Sequence, residues 1–240
     1  MELEKITHHG KDPEKRRFHD ACGLAHGLEL VGERWALLVV RELLLGPRRF
    51  SDLRMDLQGI SANVLSQRLN ELEARGIVER VMLPAPARVP AYGLTPFGMA
   101  TEPMILAMAK WAMTSPTHDR LLGLNRVSML LSLKNTIDMS RVGFLTARIG
   151  FRFGDAAYRA RLDRTGLVIE AGEDPRPELL YVGTPRGLAS RLYGKADLAA
   201  LAEQGILQMT GDRAQEARFC TLFSLPQKFP APNQDERPQE

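Results

Sequence analysis

The chain has 240 residues, 44% apolar and 25% charged, a balance that excludes disorder as its main state and leaves room for one large domain or two modest ones. No apolar run approaches the roughly 18 to 20 residues of a membrane span, and residues 1–17 carry charges and His8–His9 where a secretory leader has an apolar stretch, so a cytoplasmic protein is expected. The net charge of +3 divides almost evenly, 16 basic against 15 acidic groups in residues 1–120 and 16 against 14 in 121–240, so a polyanion would have to be met by a local basic surface.

In chain order, residues 20–31 place Cys22, Leu24, Ala25, Leu28, Leu30 and Val31 along one side at helical spacing, with Gly32 as the stop. Residues 34–45 (RWALLVVRELLL) are apolar nearly all round, as befits a helix at the centre of a small domain, and Gly46–Pro47 end it. Ser51 opens a short helix to Leu57, Gly59 breaks it, and Ser61 caps another that runs to Arg75. From Ile77 the apolar period falls to two, and after Pro84, Pro86 and Pro90 comes Ala91 to Leu94, which predicts a hairpin with an irregular tip. Thr95 and Pro96 open one further helix to about Met113.

A second unit follows a break at 116–125. Residues 125–137 predict a helix, and 144–153, 157–162 and 167–171 alternate like three meandering strands, with a fourth at 179–182. Helices over 185–192 and 196–203, a short strand at 206–209 and a helix over 212–223 complete an α+β class. The expected division is a flexible arm 1–17, a first domain 18–115, a linker 116–125, a second domain 126–225 and a flexible, proline-rich tail 226–240.

Cys22 and Cys220 are too few and too far apart for a disulfide framework. No histidine follows His118, so residues 119–240 cannot assemble a Ser-His or Cys-His nucleophile pair, and a zinc site there would fall to carboxylates and Cys220. The expectation is a protein that is not an enzyme, without cofactor or resident metal.

The helix, buried helix, helix, tight turn, helix and hairpin of residues 18–113 spell a winged helix-turn-helix. In the second helix of the turn Leu65, Leu69 and Leu72 fall on one side, which turns Asn63, Gln67 and Asn70 outward with Ser66 beside them. Amides and hydroxyls are the groups that read base edges, and a helix N-terminus offers backbone N–H groups to phosphate. A solvated helix surface would carry the same residues; what favours DNA is the company of Ser61 as cap, Arg68 on the flank, Arg48 and Arg49 before the preceding helix, and Arg88 at the hairpin tip.

Cys22 ahead of LVGERWALLVVRELLLGPRRFSDLRMDLQGISANVLSQRLNELEARGIVER, then Tyr92–Gly93–Leu94–Thr95 and Gly98, resembles the HxlR-type winged-helix regulators, relatives of the MarR group, over about residues 20–113. The resemblance implies a homodimeric transcriptional regulator on double-stranded DNA, reading a palindromic operator with the helix of residues 61–75 in the major groove and the hairpin as wing. Gly23 stands where the family commonly has proline, and the wing is unusually rich in proline. A dimer would also occupy the surplus apolar surface of Ile105, Leu106, Met108, Ala109, Trp111 and Ala112; packing against the second domain is the alternative.

Cys22 matches the position at which family members that sense quinones or oxidants keep a reactive thiol. His19 and His26 stand near enough on a helix to lower its pKa or, with it, to hold a metal, although a fourth ligand is not evident; a cysteine on an apolar face is otherwise inert packing. Residues 126–225 resemble, more weakly, the sterol carrier protein type 2 fold, chiefly in GILQMTGDRAQEARFCTLFSLP. That resemblance implies a sheet covered by helices around an apolar tunnel. Phe144, Ile149, Phe151, Phe153 and Tyr158 on the strands, closed by Phe219, Leu222 and Phe223, would either line a pocket for a hydrophobic small molecule or pack as solid core. Two functions follow: a DNA-binding regulator with a hydrophobic effector, or an apolar-ligand carrier whose winged helix serves dimerisation or protein interaction.

Overall fold

Apolar spacing places each helix of the first unit in a computed structural model that describes residues 18–84 and 88–231. Helix α1 (Gly23–Val31) leads to α2 (Ala36–Leu43), whose Ala36, Val39, Val40 and Leu43 are buried. Trp35, in the left-handed region at φ 78°, fixes the start of α2 two residues later than the pattern predicts. α3 (Phe50–Asp56) and α4 (Ala62–Ala74) form the helix-turn-helix, and β1 (Val78–Met82) pairs antiparallel with β2 (Pro90–Leu94) as the wing.

The single helix expected over 95–113 is two, α5 (Pro96–Met99) and α6 (Glu102–Met113). Pro103 has no N–H to return to Met99, so the helix restarts instead of continuing. Gly98 is obligatory here: a Cβ would lie 2.1 Å from the Ile77 carbonyl oxygen.

The second unit runs α7 (Arg126–Thr136), β3 (Ala147–Phe153), β4 (Ala156–Asp163), β5 (Gly166–Ala171), β6 (Leu179–Gly183), α8 (Pro185–Leu192), α9 (Leu198–Glu203), β7 (Leu207–Gly211) and α10 (Arg213–Cys220). The sheet order is β5-β4-β3-β6-β7, antiparallel except for the β3–β6 pair. Alternation in each strand turns Phe151, Leu162, Ile169 and Tyr181 inward and leaves Arg148, Arg152, Arg159 and Arg161 exposed on the other face.

The units share one core, with α7 packed against both α2 and α6. At the seam the Ala171 N–H donates to the Leu45 carbonyl at 2.6 Å. Gly46 permits the approach with φ +140°, and any Cβ there would stand 3.1 Å from that of Ala171. The expected linker is tied down as well, since Arg186 donates to the carbonyls of Leu121 and Leu122 at 2.5 and 2.8 Å. So is the start of the expected tail: Phe229 N–H reaches the Thr114 carbonyl at 2.8 Å and Lys228 Nζ the His118 carbonyl at 2.5 Å. The arm 1–17, the hairpin tip 85–87 and the end of the tail, 232–240, lie outside the described residues. No helix among the described residues is long and apolar enough to cross a membrane.

Candidate nucleic-acid interface

Leu65, Leu69 and Leu72 of α4 are fully buried, and Asn63, Ser66, Gln67 and Asn70 are exposed on its opposite side. Ser61 caps the helix, its Oγ accepting from the Val64 N–H at 3.3 Å. Gln67 Nε2 donates to Glu71 Oε1 at 3.0 Å, a solvent-side contact that fixes the amide's direction along the helix.

The predicted ring of phosphate-binding cations requires correction at two positions. Arg68 is only 6% exposed and lies 2.6 Å from Glu71 and 3.4 Å from Glu33, which holds it against the helix rather than outside it. Arg48 is likewise turned inward, its Nη1 2.6 Å from Glu42 and its Nη2 2.5 Å from Asp56. A guanidinium already neutralised in a low-dielectric site has no charge to offer a phosphate. Arg49, at the N-cap of α3, and Arg88, beside the hairpin tip with φ 39°, are exposed and have no carboxylate partner among the described residues. Sequence reasoning missed Arg54, exposed on α3 and equally free of a partner; its place one and a half turns after Arg49 was the signal.

Arg48 belongs instead to a buried ionic junction between the units. Glu42, 0% exposed, accepts from Arg41 at 2.6 Å, Arg48 at 2.6 Å and Asn125 Nδ2 at 2.8 Å. Asp56 takes both Arg48 and, at 2.9 Å, Arg126 Nε, while Arg126 Nη1 reaches Asp155 at 3.0 Å. Burial alone would lower the Arg126 pKa, but the hydrogen bonds to Asp56 and Asp155 raise it.

Cys22 is exposed at the N-cap of α1. The backbone N–H groups of Ala25 and then Leu24 lower its thiol pKa. Cys220 is the reverse case, pushed up to about 12 by burial and by donating to Glu216 Oε1 at 2.9 Å. His26 lies against Glu29 at 3.2 Å.

Of the two readings left open for the aromatic side chains of the second unit, the packing favours solid core. Ile149, Phe151, Phe153, Tyr158, Phe219, Leu222 and Phe223 are all buried, with Phe151 stacked on Tyr181 at 5.8 Å between centroids and Phe219 edge-on to Phe223 at 4.8 Å. Rings in contact leave no room for a ligand between them. Phe144 is 97% exposed, ahead of β3, and lines nothing with them.

A family model described as HxlR-like helix-turn-helix matches residues 30–119. The chain is 41% identical over 86 residues to the uncharacterized HTH-type transcriptional regulator YvaP of Bacillus subtilis (strain 168), spanning 35% of this chain and 79% of that protein. It is 40% identical over 84 residues to the HTH-type transcriptional regulator YodB of the same organism, spanning 35% and 74%. Against the solved reduced form of YodB from B. subtilis the identity is 33%, over 42% of this chain and 100% of that one, with a TM-score of 0.37.

Proposed function

We propose, from the premise that the chain belongs to the HxlR-like helix-turn-helix family, that this DNA-binding transcriptional regulator acts as a homodimer. Its two α4 helices would enter successive major grooves of a palindromic operator. The observation that carries the reading is the exposed side of α4: Asn63, Ser66, Gln67 and Asn70 are exposed, clear of the buried leucine stripe. Arg49, Arg54 and Arg88 supply the sequence-independent attraction to phosphate.

The dimer reading is supported by apolar side chains left exposed on α1 and α6: Leu24, Leu28, Met104, Met108 and Trp111, the last 73% exposed. The C-terminal unit serves, on this reading, as a sensing domain of the sterol carrier type. Its packed aromatic core speaks against a carrier function for the chain and moves any effector out of the sheet interior.

Selection of bound sequences from a random duplex library, followed by anisotropy titration at several salt concentrations, tests the proposal. A palindromic consensus bound by two chains, with affinity falling steeply as salt rises, is expected. Binding of every duplex with equal affinity, or of none, would overturn it.

A further inference from the structure

One end of the second unit's sheet meets the DNA-reading unit at the seam. At the opposite end β3, β5 and β6 begin and β4 and β7 finish. The chain enters β3 there from a short helical turn (Met139–Arg141) and residues 142–146, among which Phe144 is 97% exposed. This exposure is built in and is not fraying. Val142 and Leu145 on either side are buried, Gly143 takes φ +59°, and the Leu145 N–H donates to the Val142 carbonyl at 3.0 Å. From α10, Arg218 Nη2 and Gln215 Nε2 donate to the Val142 and Thr146 carbonyls, each at 3.3 Å. A fastened turn thus holds a full aromatic ring in water, against the drive that buries such surface elsewhere in the chain.

The surroundings of the ring are cationic. Arg141, Arg148, Arg161, Arg164, Arg213 and Arg218 lie at this end, all exposed and none with a carboxylate at ion-pair distance among the described residues. The carboxylates nearby are fewer and are committed to the backbone: Asp138, Asp163, Glu178 and Asp212 accept from the N–H groups of Ser140, Thr165, Arg148 and Gln215. Asp174, in the β5–β6 connection, accepts from the N–H of Arg176, whose own charge balances it. The excess is positive. Arg148 also stands directly opposite Arg161 in the β3–β4 register, a like-charge pair that repels until an anion lies over it.

We propose that this end of the second unit docks on an anionic lipid surface, Phe144 entering the boundary of the hydrocarbon and the arginines meeting headgroup phosphates. Two features select that partner. The guanidiniums have no competing ion pair within the chain, so an anionic leaflet finds them unspent. The ring at their centre gains only where an apolar medium lies directly beneath a negatively charged layer, which is the order of a bilayer surface. In duplex DNA the apolar interior is the base stack, which a wedge reaches only by unstacking it. The seam with the DNA-reading unit is at the other end of the sheet, where Ala171 meets Leu45, so docking requires nothing of α4. One ring and a few cations give reversible, salt-sensitive attachment.

Co-sedimentation of the full chain with vesicles of equal parts phosphatidylcholine and phosphatidylglycerol tests this, beside vesicles of phosphatidylcholine alone. Saturable binding to the mixed vesicles, little to the neutral ones, and loss of binding as salt rises are expected. Phe144→Ser should bind about tenfold more weakly with unchanged circular dichroism, and Phe144→Trp should bind as well as the wild type. Arg141→Gln combined with Arg148→Gln should also bind at least about tenfold more weakly, whereas lysine at both positions should retain binding, because the leaflet attracts charge of either kind. Arg49→Gln, at the N-cap of α3 and outside this surface, should change nothing. No binding to the mixed vesicles, equal binding to the neutral ones, or an equal loss with Arg49→Gln would each overturn the proposal. So would Phe144→Ser binding like the wild type, which would reduce the effect to general attraction of a basic chain. Should the Phe144 and arginine substitutions spare vesicle binding and weaken binding to the selected operator, this end of the sheet contacts nucleic acid and the lipid assignment falls.

Discussion

Asp56, at the end of the first helix of the helix-turn-helix, accepts a 2.9 Å hydrogen bond from Arg126, 70 residues further on at the start of α7. The same Asp56 oxygen receives Arg48 at 2.5 Å, so one carboxylate joins the DNA-reading unit to the second domain. Glu42 extends the junction through Arg48 and Asn125. With Glu42, Arg48, Asp56 and Arg126 largely withdrawn from water, the junction fixes the angle between the two units more than it adds stability.

The first prediction concerns Arg48. Removing one partner of a buried ion pair leaves the other uncompensated, so Arg48→Ala should destabilise the chain by about 3 kcal/mol in urea denaturation. Its effect on the DNA salt slope should be negligible, because Arg48 faces carboxylates and not solvent. A variant of unchanged stability whose affinity falls alike for every duplex would return Arg48 to the phosphate-binding set.

A second prediction separates base readers from backbone contacts on the surface around α4. Gln67→Ala should relax preference at one operator position, costing about 1 to 3 kcal/mol against the preferred base. Arg49→Gln should weaken all duplexes alike and reduce the salt slope by about 1. Anisotropy with single-base operator variants checks both, and identical behaviour of the two substitutions would refute the division of labour.

Legibility of the sequence follows the range of the interaction. The helix-turn-helix was readable because Leu65, Leu69 and Leu72 repeat within two turns, and strands β3 to β5 because alternation is local. Arg68 was readable too, though misread: it lies about 60° from Leu65 and 40° from Leu72 on a 100° wheel, on the buried side. Phe144 was betrayed by parity, since an even-numbered position cannot share a strand face with Phe151 and Phe153. Glu42 was not legible. It sits in a helix that reads as apolar nearly all round, and one of the bonds that satisfies it, from Asn125, comes from 83 residues away.

A third prediction is acid lability centred on Glu216. Burial would raise its pKa, but Arg191 at 2.7 Å, together with Cys220 and Tyr181, outweighs that and holds it below the ordinary 4.5. An unfolded Glu216 takes up its proton near 4.5 and the folded one only at lower pH. Its contribution is therefore complete above the unfolded value and lost as pH falls through the folded one. Urea midpoints from pH 7 to 3 should drop below about pH 4.5 in the wild type. Glu216→Gln should be less stable at pH 7 by about 2 kcal/mol, with Arg191 left unpaired, and show a shallower acid limb. Parallel acid limbs for the two proteins would show that other carboxylates govern the loss.

The last prediction concerns the two thiols, whose surroundings pull in opposite directions. Cys22 is exposed, and amide dipoles of the first turn of α1 stabilise its thiolate; Cys220 is half-buried beside a carboxylate that favours the protonated form. Because the thiolate is the nucleophile, iodoacetamide at pH 7 should label Cys22 at least about tenfold faster than Cys220 in the native chain. Mass spectrometry of peptides quenched at intervals measures this directly. The Cys22 rate should climb with pH and level off below the ordinary thiol value of 9.0, whereas Cys220 should react at an appreciable rate only after unfolding in urea. Equal labelling of both under native conditions would remove the physical basis for Cys22 as an oxidant-responsive group. If Cys22 does react selectively, its adduct should change operator affinity, and Cys22→Ser should bind DNA normally while ignoring the oxidant.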